Sequence, residues 1–399
     1  MLDLLDGVRV VSFNHFLLGP VGMQILGDLG ADVIAVEPIE GAFQRRFAGA
    51  GTWVDGQSSL HLTGNRNKRN LAVDLKSEAG RAVILRLAEQ ADVVSENFRP
   101  GVMEKLGLGY ATLKERNPSL VYAAASGFGA DGPYAKRPGQ DMLIQAMSGL
   151  AKITGEAVTG PRTVGVSAAD HHGAALLALG VVAALFRRGR TGQGCRVDVN
   201  LLSAAIDLQM ESFVCYINAT RKHDVTAPHR VGGWYYTPPY GIYPVKDDHV
   251  AISLTTMKAL GAALESDELA AIPDEEAAAR GDEIVALLNR ILPTRTFAEW
   301  RPRFEAHDIW HAKVNDYDEV QKDPQVVHNE TFLTVEGATG APIRMVNHAV
   351  RYDGAAASVA LPPQPLGAQT RDILAELGYG ATEIEKLIET GAVRAADPR

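Results

Sequence analysis

Cysteine is nearly absent from this chain: its 399 residues contain only Cys195 and Cys215. Two cysteines without metal-ligand spacing exclude a disulfide framework and a thiolate-based metal site. A basic balance is missing too. The formal charge is −9, which argues against nucleic acid as the main partner, whatever the local Arg and Lys clusters do. The amino terminus, MLDLLDGVRV, carries acids where a signal peptide carries bases and has no long apolar stretch, so no signal peptide is read there. The most apolar run, Ala174 to Phe186, falls short of the ~20 residues a membrane span needs. No internal repeat or low-complexity tract occurs. These absences set the expectation of a soluble cytoplasmic protein with no membrane partner.

Catalytic signatures are missing as well. A nicotinamide site needs Gly-x-Gly-x-x-Gly directly after the first strand; here the turn reads Ser12-Phe13-Asn14-His15, and Gly19 and Gly22 are wrongly spaced. No Gly-x-Ser-x-Gly nucleophile elbow is present. The run His307-Asp308-Ile309-Trp310-His311 has Asp where a zinc protease motif has Glu, and no third ligand suggests itself. Neither a metal nor a permanently bound cofactor is expected.

What is present is a strand–helix alternation. Val8–Phe13, Asp32–Glu37, Asp92–Ser95 and Leu120–Ala125 are short, apolar and bounded by turn formers, as buried strands are. Pro20–Leu29 and Glu78–Gln90 read as helices, the second with Ser77 as N-cap and Ala79, Val83, Leu87 and Ala88 on one face. This pattern predicts an α/β fold with a parallel sheet between helices. A long helix is expected over Asp170–Arg188, ended by Gly189, then a strand at Arg196–Asn200. After Thr220 the chain turns rich in Pro, Gly and aromatics, as a linker would. The expected division is 1–220 as a large domain, 221–325 as linker and smaller α+β domain, and 326–399 returning to complete the first. In the smaller part, a strand near Val250–Leu254, an acidic helical stretch near Asp267–Glu276 and a Thr296/Glu299 capping box are read.

Chemistry concentrates at the strand ends. Asn97-Phe98-Arg99-Pro100-Gly101 follows a predicted buried strand, where loops of open parallel sheets line the ligand crevice. Phe98 suits a flat base, Asn97 can hydrogen-bond it, and Arg99 can hold phosphate. Lys105 follows one turn later, and Lys76 with the Arg66–Arg69 cluster adds positive charge, although Lys68 and Arg69 read as solvated side chains. Gly127-Phe128-Gly129 with Gly132-Pro133-Tyr134 forms a second strand-end loop whose glycines admit a close backbone approach. Asp170 opens a helix behind the small residues Ser167, Ala168 and Ala169. Taken alone, such an Asp is an N-cap.

Together NFRPG, GFG-x-x-GPY and the Asp of VSAADHHGAALL resemble the family III coenzyme A transferases and the related alpha-methylacyl-CoA racemases. The likeness runs from GVRVVSF to PLGAQTRDILAELGY. It implies a Rossmann-like large domain built from both chain ends, in an interlocked homodimer. It implies an acyl-CoA and a free carboxylic acid as partners, with the CoA thioester as substrate. Asp170 becomes the nucleophile, kept anionic by the helix N-terminus. Leu17, Leu18, Lys76, Asn97, Phe98, Arg99, Lys105, Arg137 and Gln140 become coenzyme contacts.

A transferase needs a carboxylate that attacks a thioester, whereas a racemase needs two acid/base groups facing the alpha carbon. The His of the racemases' Gly-His-Asp run is Gln140 here, in Gly139-Gln140-Asp141, and glutamine shuttles no proton. That favours transferase, with racemase kept open through His171 and a non-catalytic CoA-binding homologue as a third reading. Two departures are visible. The mid-chain loop has only Gly232-Gly233, followed by Trp234-Tyr235-Tyr236, which suggests a different lid and argues against a formyl or oxalyl substrate. Ala368 and Gln369 replace a Glu-His pair near the carboxyl end.

Overall fold

Apolar β-branched runs dictate the first unit. The computed structural model describes residues 2–396, and they form two units interleaved in sequence. One comprises Met1–Ile144, Ser167–Leu208 and Pro324–Arg399; the other comprises Gln145–Val166 and Gln209–Asp323.

In the first unit seven strands form one sheet: β1 (Arg9–Phe13), β2 (Asp32–Glu37), β3 (Lys68–Val73), β4 (Val93–Glu96), β5 (Val121–Ser126), β6 (Arg196–Asn200) and β7 (Val393–Arg394). Their order is β7-β3-β2-β1-β4-β5-β6. All neighbours are parallel except β7, which runs antiparallel to β3. Because side chains alternate across a strand, each run feeds two cores. Val11, Ile34, Leu71 and Val94 pack with Val83, Leu87, Ile373 and Leu374 on one face. Val10, Val33, Val93 and Val121 pack with Met23, Leu26, Leu177 and Val181 on the other. The carboxyl end of the chain thus completes the sheet that the amino end began.

The helix over Glu78–Glu89 starts where expected, with the Gly80 N–H donating to Ser77 Oγ at 3.0 Å. The long helix differs: it spans Ala168–Thr191, passes through Gly189 and ends at Gly192, whose φ is 70°. Only a residue at ease in the left-handed region closes a helix this way, and a glycine exposed inside a stable helix need not break it. At 24 residues it is long and apolar enough to cross a membrane by length and composition. Its stripe of Ala169, Gly173, Leu177, Val181 and Ala184 is nevertheless buried in the protein. It packs tightly on the helix Leu18–Asp28: a Cβ at Gly173 would lie 2.7 Å from Leu18 Cδ1, and one at Gly22 would lie 3.1 Å from the Ala174 carbonyl oxygen.

Strand β3 is absent from the sequence reading because it begins Lys68-Arg69-Asn70. Each of those polar groups is matched. Lys68, 2% exposed, donates to the Pro20 and Gly64 carbonyls at 2.7 and 2.6 Å, and burial brings its pKa down to about 7. Arg69 binds Asp32 and Glu376, and Asn70 Nδ2 donates to Glu37 Oε1 at 2.6 Å. Arg66 forms two bonds to Asp28, 3.0 and 2.7 Å, with both side chains buried. The expectation of solvated side chains at Lys68 and Arg69 is therefore wrong, and the Arg66–Arg69 cluster is committed to the fold rather than to a ligand.

The second unit centres on a three-stranded antiparallel sheet, Gly241–Pro244, His249–Ile252 and His311–Lys313. Tyr243, Leu260, Leu288, Trp300 and Phe304 form its core. The capping box of Thr296 and Glu299 opens the helix Phe297–Ala306, whereas the acidic stretch forms only a short helix, Asp267–Ala270, and one further turn. His311 lies on a strand, so it does not share a helix face with His307. No cluster of three potential metal ligands exists among the described residues.

Removing one partner of a buried ion pair strands the other in a medium that solvates it poorly. Arg66→Ala should therefore lower unfolding free energy by about 3–5 kcal/mol, read by urea denaturation; a change below about 1 kcal/mol would contradict the account of Asp28.

Candidate active site

The strand order reverses between β1 and β4: β2 and β3 extend to one side of β1, β5 and β6 to the other side of β4. Open parallel sheets have their ligand crevice at this switch, outside the carboxyl ends of the strands. β1 leads there into Asn14 and His15, and β4 leads into Asn97 and Phe98. The two loops are tied together reciprocally. The His15 N–H donates to Asn97 Oδ1 at 2.9 Å, and Asn97 Nδ2 donates to the His15 carbonyl at 2.8 Å. Asn14 Nδ2 reaches the hydroxyls of Ser12 and Ser95 at 2.9 and 3.0 Å. The His15 and Phe98 rings stack with centroids 5.4 Å apart, and burial lowers the His15 pKa. Glu96 accepts the Phe98 N–H at 2.8 Å, and burial pushes its carboxyl up to about 7.

Gly101, with φ 87°, turns the chain into the single helical turn Val102–Lys105. Arg99, Lys105 and Lys76 are exposed. The second loop folds back on itself: a Cβ at Gly127 would sit 2.7 Å from the Gly139 Cα, and one at Gly139 would sit 2.6 Å from the Gly127 Cα. Phe128 meets Tyr134 edge-on, and the Arg137 guanidinium lies 4.1 Å over the Tyr134 ring. Gln140 is exposed, Leu17 is half-buried, and Leu18 is 3% exposed inside the core, so its side chain offers no surface to a ligand.

Asp170 stands in the first turn of the long helix. The N–H groups of Ala169 and Asp170 both donate to Asp141 Oδ1, at 2.8 and 3.1 Å. Asp141, not Asp170, is thus the carboxylate that satisfies the helix start. Its part was hidden in the sequence, because its partners lie 28 and 29 residues away. The expected lowering of the Asp170 pKa is reversed. Burial, with a smaller contribution from the Asp141 charge, raises it to about 7. These effects outweigh the helix N-terminus, whose donors Asp141 has already taken. Gly173, one turn on, lies against Leu18 at the start of the helix that follows β1. Nearby, His172 Nε2 meets Asp207 Oδ2 at 2.8 Å, and His171 is exposed.

The sequence model of CoA-transferase family III matches residues 5–370. The chain belongs to that family. The acetyl-CoA:oxalate CoA-transferase of Acetobacter aceti is 33% identical to it over 85% of this chain and 88% of the relative. The succinyl-CoA:glutarate CoA-transferase of Mus musculus is 32% identical over 98% of this chain and 90% of the relative. Among solved structures, a CaiB/BaiF family protein from Brucella suis matches with a TM-score of 0.82 at 30% identity, over 94% of this chain and 99% of that one.

Two family III positions that depart in sequence have local explanations. Gln369 Oε1 accepts the Asn70 N–H at 2.8 Å, so it helps attach the carboxyl end to β3. Within the second unit, Trp234 Nε1 donates to Ser212 Oγ at 2.8 Å, and the Tyr235 and Tyr236 hydroxyls reach Glu211. The aromatic run is fastened to the helix Met210–Ile217 rather than left as a loose flap.

A raised carboxyl pKa favours folding while the group is protonated and is lost as stability when pH rises towards the folded value. Asp170→Asn, which carries no charge to bury, should therefore gain in Tm over wild type as pH goes from about 4 to 7 and level off above. Asp141→Asn, which keeps the acceptor oxygen but not the charge, should reduce that gain. Thermal melts across pH decide it; a Tm difference independent of pH would refute the raised pKa.

Proposed function

We propose that this family III CoA-transferase moves CoA from an acyl-CoA to a free carboxylic acid through covalent adducts of Asp170. The supporting observation is a half-buried carboxyl at a helix start, next to a second carboxylate, where family III has its motif aspartate. On this reading the Asp170 carboxylate attacks the thioester carbonyl; the C–S bond breaks, and a mixed anhydride and CoA thiolate form. The thiolate then attacks the aspartyl carbonyl and expels the first acid, leaving an aspartyl-CoA thioester. The acceptor carboxylate attacks the aspartyl carbonyl of that thioester, expelling CoA thiolate and forming a second mixed anhydride; the thiolate then attacks the acceptor's acyl carbonyl, releasing the new acyl-CoA and the free Asp170 carboxylate. No net proton or electron is consumed. Every adduct must be shielded from water, or the thioester's energy is lost to hydrolysis.

Asn97 and Phe98 at the switch, with exposed Arg99, Lys105, Lys76 and Arg137, suit a nucleotide bearing phosphates. Leu17 and Gln140 border the same loops; Leu18 contributes through its backbone alone. The racemase reading lacks support here, since Gln140 stands where a proton-shuttling His is needed and His171 adjoins Asp170 on one helix.

A homodimer belongs to the proposal, interlocked as the family resemblance implies. Supporting it, Leu179 and Phe186 on the long helix are 65% and 69% exposed, apolar surface of the kind a partner covers. A cytoplasmic location fits two unpaired thiols, Cys195 and Cys215. Sedimentation equilibrium should give twice the chain mass of 42.8 kDa; a monomer at micromolar concentration would count against the dimer.

The chemistry is tested by incubation in heavy water with a 2-methylacyl-CoA, succinyl-CoA and a panel of free acids, read by mass spectrometry. New acyl-CoA species without alpha-deuterium are expected, and Asp170→Ala should abolish them while still binding acyl-CoA. Transfer near the wild-type rate in that variant would reject Asp170 as nucleophile, and alpha-deuterium without CoA exchange would make the protein a racemase.

A further inference from the structure

A file of aromatic rings leaves the switch-point crevice and runs onto the surface of the first unit. Ring centroids are 5.4 Å apart from Phe98 to His15, 4.9 Å from His15 to Phe16, 5.0 Å from Phe16 to Phe43 and 5.5 Å from Phe43 to Phe47. The last three are exposed by 40%, 45% and 52%. We propose that Phe16, Phe43 and Phe47 receive the acyl group of the thioester, so that this enzyme prefers acyl groups with an extended apolar body. The proposal rests on the reading of Asp170 as nucleophile.

Three observations carry it. First, the exposure is built rather than incidental. Phe16 has φ 61°, a left-handed backbone that bulky residues rarely adopt. Its N–H faces Gln44 Oε1 at 3.4 Å, and Gln44 is 1% exposed beside Phe43. The fold thus holds a strained residue so that two aromatic side chains meet in water. Contiguous apolar exposure of this kind marks a binding surface.

Second, the file has a direction. Phe98 adjoins Arg99 and precedes Lys105, on the side suited to phosphates. Leu18, two residues past Phe16, lies against Gly173, one turn after Asp170. The file thus joins the loop suited to phosphates to the start of the helix that packs on the helix of Asp170. Phe43 and Phe47 continue beyond it, where the acyl end of the thioester would extend.

Third, the cation within the file is already used. Arg45 makes two 2.7 Å bonds to Glu37 and a third, of 3.0 Å, to the Gln364 carbonyl. It has no strong charge left for the second carboxylate of a dicarboxylyl group; the exposed Arg46 is the rival candidate for that task.

The test is calorimetric binding to Asp170→Ala protein, with octanoyl-CoA, acetyl-CoA, succinyl-CoA and free CoA as probes. Octanoyl-CoA should bind about tenfold tighter than acetyl-CoA. Adding Phe43→Ala and Phe47→Ala should bring it to the acetyl-CoA level while acetyl-CoA itself changes less than about twofold. Phe43→Leu with Phe47→Leu should keep most of the advantage, which separates lost apolar contact from lost folding. Three results would overturn the proposal: octanoyl-CoA no tighter than acetyl-CoA; free CoA weakened as much as octanoyl-CoA, which would put the rings on the nucleotide; or succinyl-CoA tightest, with its advantage removed by Arg46→Ala. All are equilibrium readings, so they stand apart from whether Asp170 performs the transfer, which the heavy-water incubation decides.

Discussion

The site depends first on the pair of hydrogen bonds between Asn97 and the His15 backbone. Where a parallel sheet reverses its strand order, the ends of the two central strands have no ladder partner for their next backbone groups. Asn97 supplies both a donor and an acceptor at once, at 2.8 and 2.9 Å. An aspartate would lack the donor, and a leucine would leave both His15 groups unmatched. With His15 held, its ring stacks on Phe98, Phe16 follows in a left-handed conformation, and the helix Leu18–Asp28 begins two residues on. Gly173 then fits against Leu18 and sets the first turn of the long helix. One side-chain amide thereby connects the proposed coenzyme loop to the proposed nucleophile through two contacts and a short stretch of chain.

Charge is divided just as sharply. Burial alone would raise Glu37 and Asp28, yet both lie below the usual carboxylate range: Arg45 holds Glu37, and His348 and Arg66 hold Asp28. Glu96 and Asp170 are half-buried without a comparable cation and are raised. Paired carboxylates here maintain the fold, and the unpaired ones sit at the end of β4 and the head of the long helix. That separation is what a working site shows when burial rather than a counter-ion tunes its acids. It also explains why the Arg66–Arg69 cluster is a poor guide to ligand charge: its guanidinium groups answer Asp28, Asp32 and Glu376.

Much of the sheet was legible, because Val8–Phe13, Asp32–Glu37 and Leu120–Ala125 are apolar on both faces and stop at turn formers. Strand β3 was not, since Lys68, Arg69 and Asn70 look solvated until carbonyls and carboxylates far along the chain are brought to them. The end of the long helix was misplaced for a related reason: Gly189 and Gly192 differ in backbone conformation, which a run of glycines does not disclose. At the site, Asp170 and Asn97 stood out through family motifs. Their environment did not. The reversal of the Asp170 pKa comes from packing and from Asp141, and the aromatic file needs Phe43 and Phe47 folded beside Phe16, though about 30 residues separate them.

The raised pKa bears on the proposed route in a way that a simple nucleophile argument misses. Protonation and acylation do the same thing to the Asp170 carboxylate: each removes its charge. Whatever burial and Asp141 contribute to favouring the protonated form they also contribute, to first order, to favouring a neutral anhydride or thioester. The rise to about 7 is a preference of the site for the uncharged state. On the proposed route the site would raise the carboxylate ground state without penalising neutral adducts, the direction a double-displacement transferase needs. The cost is a smaller ionised fraction at neutral pH. A carboxyl poised near neutral pH would serve a proton-shuttling racemase as well, so the choice between the two rests on Gln140, which shuttles no proton where the racemases have a His.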